Sequence, residues 1–210
     1  MKTLVTCGPT QEPIDSVRYI TNASSGKMGF AVASEAKKRG HEVCLVCGPT
    51  PLPPPKGVRV IDVRTAAEMT LATVRELKKG YDVFVCAAAI ADYAPSKVTS
   101  GKIKSGGQLT ITLKPTGKLT KLVRDAFKDL FIVAFKAEYD VSEDALVVAA
   151  SGKLASEGLN LIVANDIGRN RFGSDSSSVL FIKASGVVGK AAGRKEAVAR
   201  RLWDLIEASV

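Results

Sequence analysis

One histidine, His41, stands in the whole chain of 210 residues, directly before a strand-like run. It reads as a surface turn residue, so neither a zinc set of His, Cys and carboxylate type nor a Ser-His-Asp triad can be assembled around it. Aromatic residues make up 6% of the chain and do not interleave with the basic ones, which argues against a platform for stacking single-stranded nucleic acid. No apolar run reaches the roughly 18 residues that cross a bilayer. The N-terminus reads as a strand, not as a charged-then-apolar signal. Cysteine is scarce too: Cys7, Cys44, Cys47 and Cys86 each lie in an apolar, β-like stretch. Cys44 and Cys47 spell C-x-x-C, but residues three apart in a strand point to opposite faces. They are read as buried free thiols of a cytoplasmic protein rather than a metal or redox pair. Asn22-Ala23-Ser24 spells a glycosylation acceptor, which means nothing without a secretory signal.

Acidic residues are outnumbered: 30 Lys and Arg stand against 21 Asp and Glu, a net charge of +9. That balance favours anionic partners such as phosphorylated small molecules. The basic residues are scattered along the helical segments, so nucleic acid and membrane surfaces are not expected partners. At 46% hydrophobic residues, the length suits a single domain over residues 1–210 with a sizeable core.

Apolar runs and breakers set out the order of elements. Residues 3–7 predict a central strand ended by Gly8-Pro9-Thr10, and residues 28–39 a helix closed by Gly40. Residues 42–47 predict a strand, followed by a stiff loop with four prolines between Pro51 and Pro55. A strand at 58–63 and a helix at 66–79 come next, with Thr65 and Glu68 spelling a capping box. A strand at 81–86 runs on into Ala87-Ala88-Ala89. Repeated β-α-β crossovers build a parallel sheet with helices on both faces, and ligands lie beyond its carboxyl edge. The expected fold is therefore α/β, a Rossmann-like three-layer arrangement with a mostly parallel mixed sheet.

The pattern breaks at residues 93–108, where glycines at 101, 106 and 107 bracket Lys102-Ile103-Lys104. Glycine hinges around a basic centre predict a mobile lid that closes on an anion. Residues 109–113 alternate as Leu-Thr-Ile-Thr-Leu, which predicts one antiparallel strand. A helix from Thr116 to about Lys128, a strand at 131–137, a helix at 143–157 capped by Ser142, and a strand at 160–164 follow. A Gly- and Ser-rich loop at 168–178, a strand at 179–183 and a helix at 194–208 complete the chain.

The densest chemistry lies between Asp15 and Gly29. Arg18, Asn22, Ser24, Ser25, Gly26 and Lys27 crowd into the entry to the first helix. Ser24 or Ser25 is placed to cap that helix, whose free N–H groups suit a phosphate or carboxylate.

Taken in order, the motifs resemble those of the phosphopantothenate–cysteine ligase family of coenzyme A biosynthesis. The resemblance rests on Thr10-x-Glu12-Pro13-Ile14-Asp15-x-Val17-Arg18-x-Ile20-Thr21-Asn22-x-Ser24-Ser25-Gly26-Lys27-Met28-Gly29. Ala88-Ala89-Ile90-Ala91-Asp92-Tyr93, Lys102-Ile103-Lys104, Phe135-Lys136-Ala137-Glu138, and Val163-Ala164-Asn165-Asp166 with Phe172-Gly173 add to it. It implies a two-step reaction. A nucleoside triphosphate, CTP or ATP accompanied by Mg²⁺, activates the carboxylate of 4′-phosphopantothenate as an acyl-nucleotide. The amine of L-cysteine then displaces the nucleoside monophosphate. It also implies a homodimer whose sites take residues from both copies, and a link to a phosphopantothenoylcysteine decarboxylase, a domain not expected in this chain.

By this resemblance Asn22 and Lys102 are catalytic: Asn22 at the acyl intermediate and Lys102 at the α-phosphate. Arg18, Asn22, Ser24, Ser25, Gly26, Lys27, Ala88 and Ala89 hold the phosphopantothenate half. Cys86, Ala87, Ala88, Asp92, Lys102, Gly117, Lys118, Leu119, Thr120, Phe135 and Lys153 face the nucleotide, with Asn165 as a further contact. No side chain is assigned to a metal; Mg²⁺ is carried by the triphosphate. The chain departs from the family pattern at Ser105, at Thr116-Gly117-Lys118-Leu119 and at Glu157, all on the nucleotide side. Two other readings need features of their own. A nicotinamide-dependent Rossmann oxidoreductase needs a G-x-G-x-x-G turn directly after the first strand, where only Gly8 stands. A basic nucleic-acid-binding module needs clustered Lys and Arg.

Overall fold

The computed structural model describes residues 1–168 and 173–210, so Phe172 of the last motif lies outside the described residues. Twelve strands and five helices follow one another among them. The first half comprises β1 (Lys2–Cys7), β2 (Gln11–Pro13), β3 (Tyr19–Thr21), α1 (Lys27–Lys38), β4 (Glu42–Cys47), β5 (Arg59–Asp62), α2 (Ala66–Leu77) and β6 (Val83–Cys86). The second half comprises β7 (Tyr93–Pro95), β8 (Leu113–Pro115), α3 (Leu119–Ala126), β9 (Phe131–Glu138), α4 (Glu143–Glu157), β10 (Leu161–Asp166), β11 (Ser176–Lys183), β12 (Gly186–Arg194) and α5 (Lys195–Glu207).

Eight strands form the main sheet in the order β12-β11-β10-β9-β6-β1-β4-β5. From β10 to β5 all neighbours are parallel, and β11 turns against both β10 and β12. The α/β three-layer reading holds. Its central strands are apolar at consecutive positions because both faces are covered. In β1, Leu4 joins one buried cluster with residues of α2, α3 and α4, while Val5 joins the other with α1 and α5. The predicted capping box on α2 is present, with Thr65 and Glu68 bonded reciprocally.

The expected antiparallel strand is not where the alternation put it. The antiparallel member of the main sheet is β11, and the segment 109–113 contributes only its last residue to β8, which pairs with β7 in a separate ribbon. Leu109 and Leu113 are both exposed. Alternation specifies a strand only where one face finds something to cover it. The short ribbon β2–β3 and the edge strand β12 carry too little apolar pattern to stand out in the sequence.

Buried motif residues hold the β2–β3 arm in place. Glu12 Oε1 accepts the N–H of Ala66 at the start of α2 (2.8 Å), and Thr10 Oγ1 accepts that of Ala91 (3.0 Å). Asp15 receives the N–H groups of Val17, Arg18 and Ile103 and pairs with the Arg18 guanidinium at 2.7 Å. The segment expected as a lid is thereby fastened along residues 99–103 to the turn at 14–18. Thr99 N donates to Ile14 O (3.0 Å), Ser16 N to Gly101 O (3.1 Å) and Arg18 Nη1 to Ile103 O (3.3 Å).

The Ile103 N–H leads the donors that hold the Asp15 carboxyl down, at about 2, against the opposing effect of burial. A carboxyl depressed on folding adds stability above its ordinary pKa of about 3.9 and loses it as pH falls through the folded value. Asp15→Asn should therefore speed amide exchange at Ile103 at neutral pH, and the native chain should gain the same exchange between pH 4 and 2. Unchanged exchange in the variant would remove Asp15 as the fastening.

Candidate active site

At the carboxyl edge of β6, β9 and β10 a crevice of about 350 Å³ opens across the top of the sheet. This is where a doubly wound sheet places its ligands. One wall comes from the side of α1 and α5, the other from the side of α3 and α4. The cavity gathers Asn22, Ser24, Ser25, Gly26 and Lys27, then Cys86, Ala87, Ala88, Ala89 and Asp92. It also gathers Gly117, Lys118, Leu119, Thr120, Phe135, Lys153 and Asn165. Arg18 and Lys102 are the two predicted site residues outside this lining. Arg18 lies on the β2–β3 arm, engaged with Asp15 and Ile103, and Lys102 lies on the segment fastened to that arm.

The α1 wall is built to meet an anion. Gly26 is the N-cap residue, at φ 77°, a left-handed conformation that suits glycine. No side chain caps the helix. The expected Ser24 or Ser25 cap is thus corrected: Ser24 Oγ accepts only from Gly26 N, at 3.4 Å. The N–H groups of the first turn remain for a ligand, where the helix dipole favours negative charge. Gly29 seats this turn on the sheet, since a Cβ there would lie 2.3 Å from Cys7 Cβ. Gly29→Ala should push α1 outward, cost about 1–3 kcal/mol by overpacking and weaken phosphate binding. Denaturant unfolding and phosphate titration check both effects; an unchanged midpoint would show that α1 has room to spare.

Two lysines flank that turn. Lys27 Nζ lies 2.6 Å from Asp175 Oδ1 and 3.1 Å from Gly173 O. Lys195, the first residue of α5, bonds through Nζ to Ser174 O. Burial lowers the Lys195 ammonium pKa, and the neighbouring Lys27 charge adds to the effect. The Asp175 carboxyl is lowered, chiefly by its hydrogen bond from Lys27. Lys195, Ser176 and Ser177 also line the cavity. Sequence reading missed them because Ser176 and Ser177 fall inside the Gly- and Ser-rich stretch at 168–178 and Lys195 follows it with no motif of its own. A basic residue at the start of the last helix was the available signal.

Asn22 bridges the two walls. Its Nδ2 donates to Ala89 O (3.1 Å) and Ile90 O (3.2 Å), so its donors are committed to the backbone and Oδ1 is left to accept. In this arrangement the group Asn22 offers to the crevice is an acceptor. On the α3–α4 side, Lys153 Nζ is held by both oxygens of Glu157, at 2.7 and 2.8 Å, and Thr120 Oγ1 bonds to the same carboxylate. The Lys153 charge is thereby neutralised next to the apolar surface of Ala134, Phe135 and Leu119, which suits an uncharged heterocycle better than a phosphate. Asp92 pairs with Lys118 at 2.5 Å. The Cys86 thiol is pushed up by burial, which disfavours its thiolate.

Among the described residues Asp92 is the one carboxylate in the lining, and no group of three metal-ligating side chains occurs. These donors fit a magnesium ion that arrives on phosphate oxygens better than one held by the protein. Among the described residues, no helix is long and apolar enough to cross a membrane.

The whole chain, residues 1–210, matches the model of the DNA/pantothenate metabolism flavoprotein C-terminal domain. It is 42% identical over 207 residues to the coenzyme A biosynthesis bifunctional protein CoaBC of Thermococcus kodakarensis, covering 98% of this chain and 51% of that protein. The chain spans about half the length of the curated relatives it matches. Among solved structures, the DNA/pantothenate metabolism flavoprotein from Streptococcus pneumoniae superposes with a TM-score of 0.88 at 28% identity, covering 100% of both chains. The C-terminal domain of a coenzyme A biosynthesis bifunctional protein CoaBC does so with a TM-score of 0.81 at 33% identity, covering 99% of this chain and 94% of that one.

Proposed function

The chain belongs to the DNA/pantothenate metabolism flavoprotein C-terminal domain family, and from that premise we propose that it joins 4′-phosphopantothenate to L-cysteine through an acyl-nucleotide. The observation that carries this reading is the split character of the crevice. Lys27, Lys195 and the uncapped turn of α1 face one side, and a charge-neutral, apolar pocket around Phe135 and Lys153 faces the other. Such a site receives a phosphorylated acid and a nucleotide base and presses their reactive groups together. A carboxylate oxygen attacks the α-phosphorus, a P–O bond breaks and pyrophosphate leaves. The cysteine amine then attacks the acyl carbon, and the nucleoside monophosphate leaves as the amide forms. Stabilising the charge of those transfers requires cations and N–H donors rather than a protein nucleophile.

In this reading the α1 turn, Ser24, Ser25 and Lys27 hold the phosphate of phosphopantothenate, and Ala88 and Ala89 let the intermediate lie close to the backbone. Asn22 Oδ1 orients an N–H of the acyl substrate or of the incoming amine. Cys86, Ala87, Gly117, Leu119, Thr120, Phe135 and Lys153 enclose the base, with Asp92 and Lys118 at the ribose. Magnesium bound to the triphosphate neutralises its charge. The cosubstrate is CTP or ATP. The decarboxylase with which the ligase works is a separate protein or a further domain, and the four free thiols suit a cytoplasmic setting.

The arm accounts for Arg18 and Lys102. Val17 and Tyr19 on the arm, and Tyr93, Val98, Leu109 and Leu113 on the β7–β8 segment fastened to it, are all exposed. A second copy covers this surface and brings its own Arg18 and Lys102 to the crevice, a closed twofold arrangement.

The deciding assay supplies phosphopantothenate, cysteine, Mg²⁺ and either CTP or ATP. Pyrophosphate should appear only when phosphopantothenate is present. Its absence with every nucleotide would overturn the reading.

A further inference from the structure

Outside the crevice two free cysteines lie in contact. Cys7 and Cys47 end adjacent parallel strands at paired positions in the β1–β4 register. Their sulfurs lie 3.1 Å apart, with Cys7 Sγ donating to Cys47 Sγ. Neighbouring strands run about 4.8 Å apart, inside the roughly 4.4–6.8 Å Cα window of a disulfide. The partner of Cys47 is therefore not Cys44, three residues before it in the same strand.

Cys7 is fully buried, but Cys47 lines a second cavity of about 390 Å³. Leu52 and Pro54 of the proline-rich loop form part of its wall, with Phe30, Gly48 and Asp62. The loop thus borders a cavity at Cys47, whose sulfur is buried and donates to Gly48 O at 3.3 Å. Nothing in the proposed ligase chemistry uses this cavity. The hydrogen bond from Cys7 lowers the pKa of the Cys47 thiol, and the same bond raises that of Cys7. The pair is therefore asymmetric, with the more acidic sulfur at the more accessible position.

We propose that Cys7 and Cys47 form a thiol oxidation site, closed to a disulfide by small hydroperoxides entering through the cavity beneath the proline-rich loop. The Cys47 sulfur attacks the O–O bond of hydrogen peroxide. An S–O bond forms, the O–O bond breaks, and the departing oxygen leaves as water with the thiol proton. The Cys7 sulfur then attacks the sulfenic sulfur. The S–S bond forms, the S–O bond breaks, and a second water carries away the Cys7 proton. Two thiols are oxidised by two electrons and one peroxide is reduced to two waters. Gly48 N already donates to Cys7 O at 2.9 Å, and Gly29 of α1 rests on Cys7. The crosslink therefore forms directly under the anion-binding turn and ties both ends of the segment that carries α1.

The test treats the full folded chain with hydrogen peroxide, alkylates remaining thiols and maps the peptides by mass spectrometry. The expected result is a linked pair of peptides containing Cys7 and Cys47, reversed by dithiothreitol, with Cys44 and Cys86 alkylated. Cys7→Ser should leave Cys47 as a sulfenic acid trapped by a dimedone probe, and Cys47→Ser should leave Cys7 unoxidised. Circular dichroism on both variants confirms that they are folded. Linkage through Cys44, oxidation of Cys86 first, or Cys7 and Cys47 both still open to alkylation when the protein is unfolded after peroxide treatment would overturn the proposal. None of these readouts depends on the ligase reading.

Discussion

Lys102→Gln is expected to slow pyrophosphate release by about 10²–10³-fold, the loss typical of removing one preorganised group that stabilises transition-state charge. The thermal midpoint should not move. Lys102 is exposed on a segment whose fastenings are made by the neighbouring residues Gly101 and Ile103 and by the Asp15 turn. The variant therefore loses a cation and keeps the arm. The same geometry makes a sharper prediction. Because Lys102 lies outside the crevice of its own chain, a site should be completed by the lysine of a second copy. Asn22→Asp should also be inactive, since it puts a carboxylate against Ala89 O and Ile90 O, where Nδ2 now donates. Two inactive variants, mixed and re-assembled, should then recover about a quarter of native activity, because half the dimers are mixed and one site in each is intact. No recovery from a re-equilibrated mixture would place Lys102 in its own chain's reaction, and native turnover by Lys102→Gln alone would remove it from the chemistry.

Trp203→Ala is the largest expected loss of stability. The indole is fully buried, donates through Nε1 to Val32 O of α1 at 2.9 Å, and lies 4.9 Å from the His41 ring. Truncation of a buried tryptophan costs about 3–5 kcal/mol, on the order of 10 °C in a chain of this size. Trp203→Phe keeps most of the apolar contact and forfeits the hydrogen bond, so a loss nearer 1–2 kcal/mol is expected. Differential calorimetry of the two variants separates these contributions. If the alanine variant lost under 1 kcal/mol, the α1–α5 contact would not be what holds this layer. The effect bears on function as well, because the contact that buries Trp203 also sets Lys27 on α1 beside Lys195 on α5.

Most of the sheet was legible because its signal is local. Consecutive apolar positions mark a strand covered on both faces, and Gly8, Gly40 and Gly158 mark the stops. The crevice was legible as well, because the residues from Asn22 to Lys27, the Ala87–Ala89 run and Lys153 lie near the carboxyl ends of strands or on the helices flanking them. Three things were not. Leu109 to Leu113 alternates without a surface to bury against, and pattern alone cannot tell a covered face from an open one. The uncapped start of α1 is a matter of backbone geometry at Gly26, invisible to composition. Lys195 reaches the site only through the packing of α5 on α1, a contact between residues far apart in sequence. The motif itself divides once its partners are known. Thr10, Glu12 and Asp15 brace the arm, while Asn22 and residues 24–27 line the crevice.

The Lys27–Asp175 pair changes what binding means at the α1 turn. The lysine is occupied before any ligand arrives, so a phosphate that takes it does so by exchange, turning out a carboxylate held at 2.6 Å. A monoanion that replaces a monoanion gains little from such a trade. A phosphate monoester, which passes from one charge to nearly two around pH 6, gains a second charge that Asp175 cannot match. The chain thus carries its own competitor, an internal reference anion against which every visitor is weighed. If the α1 turn takes the phosphate as proposed, selectivity for a fully ionised phosphate over a carboxylate or a sulfonate is the expected result of that comparison.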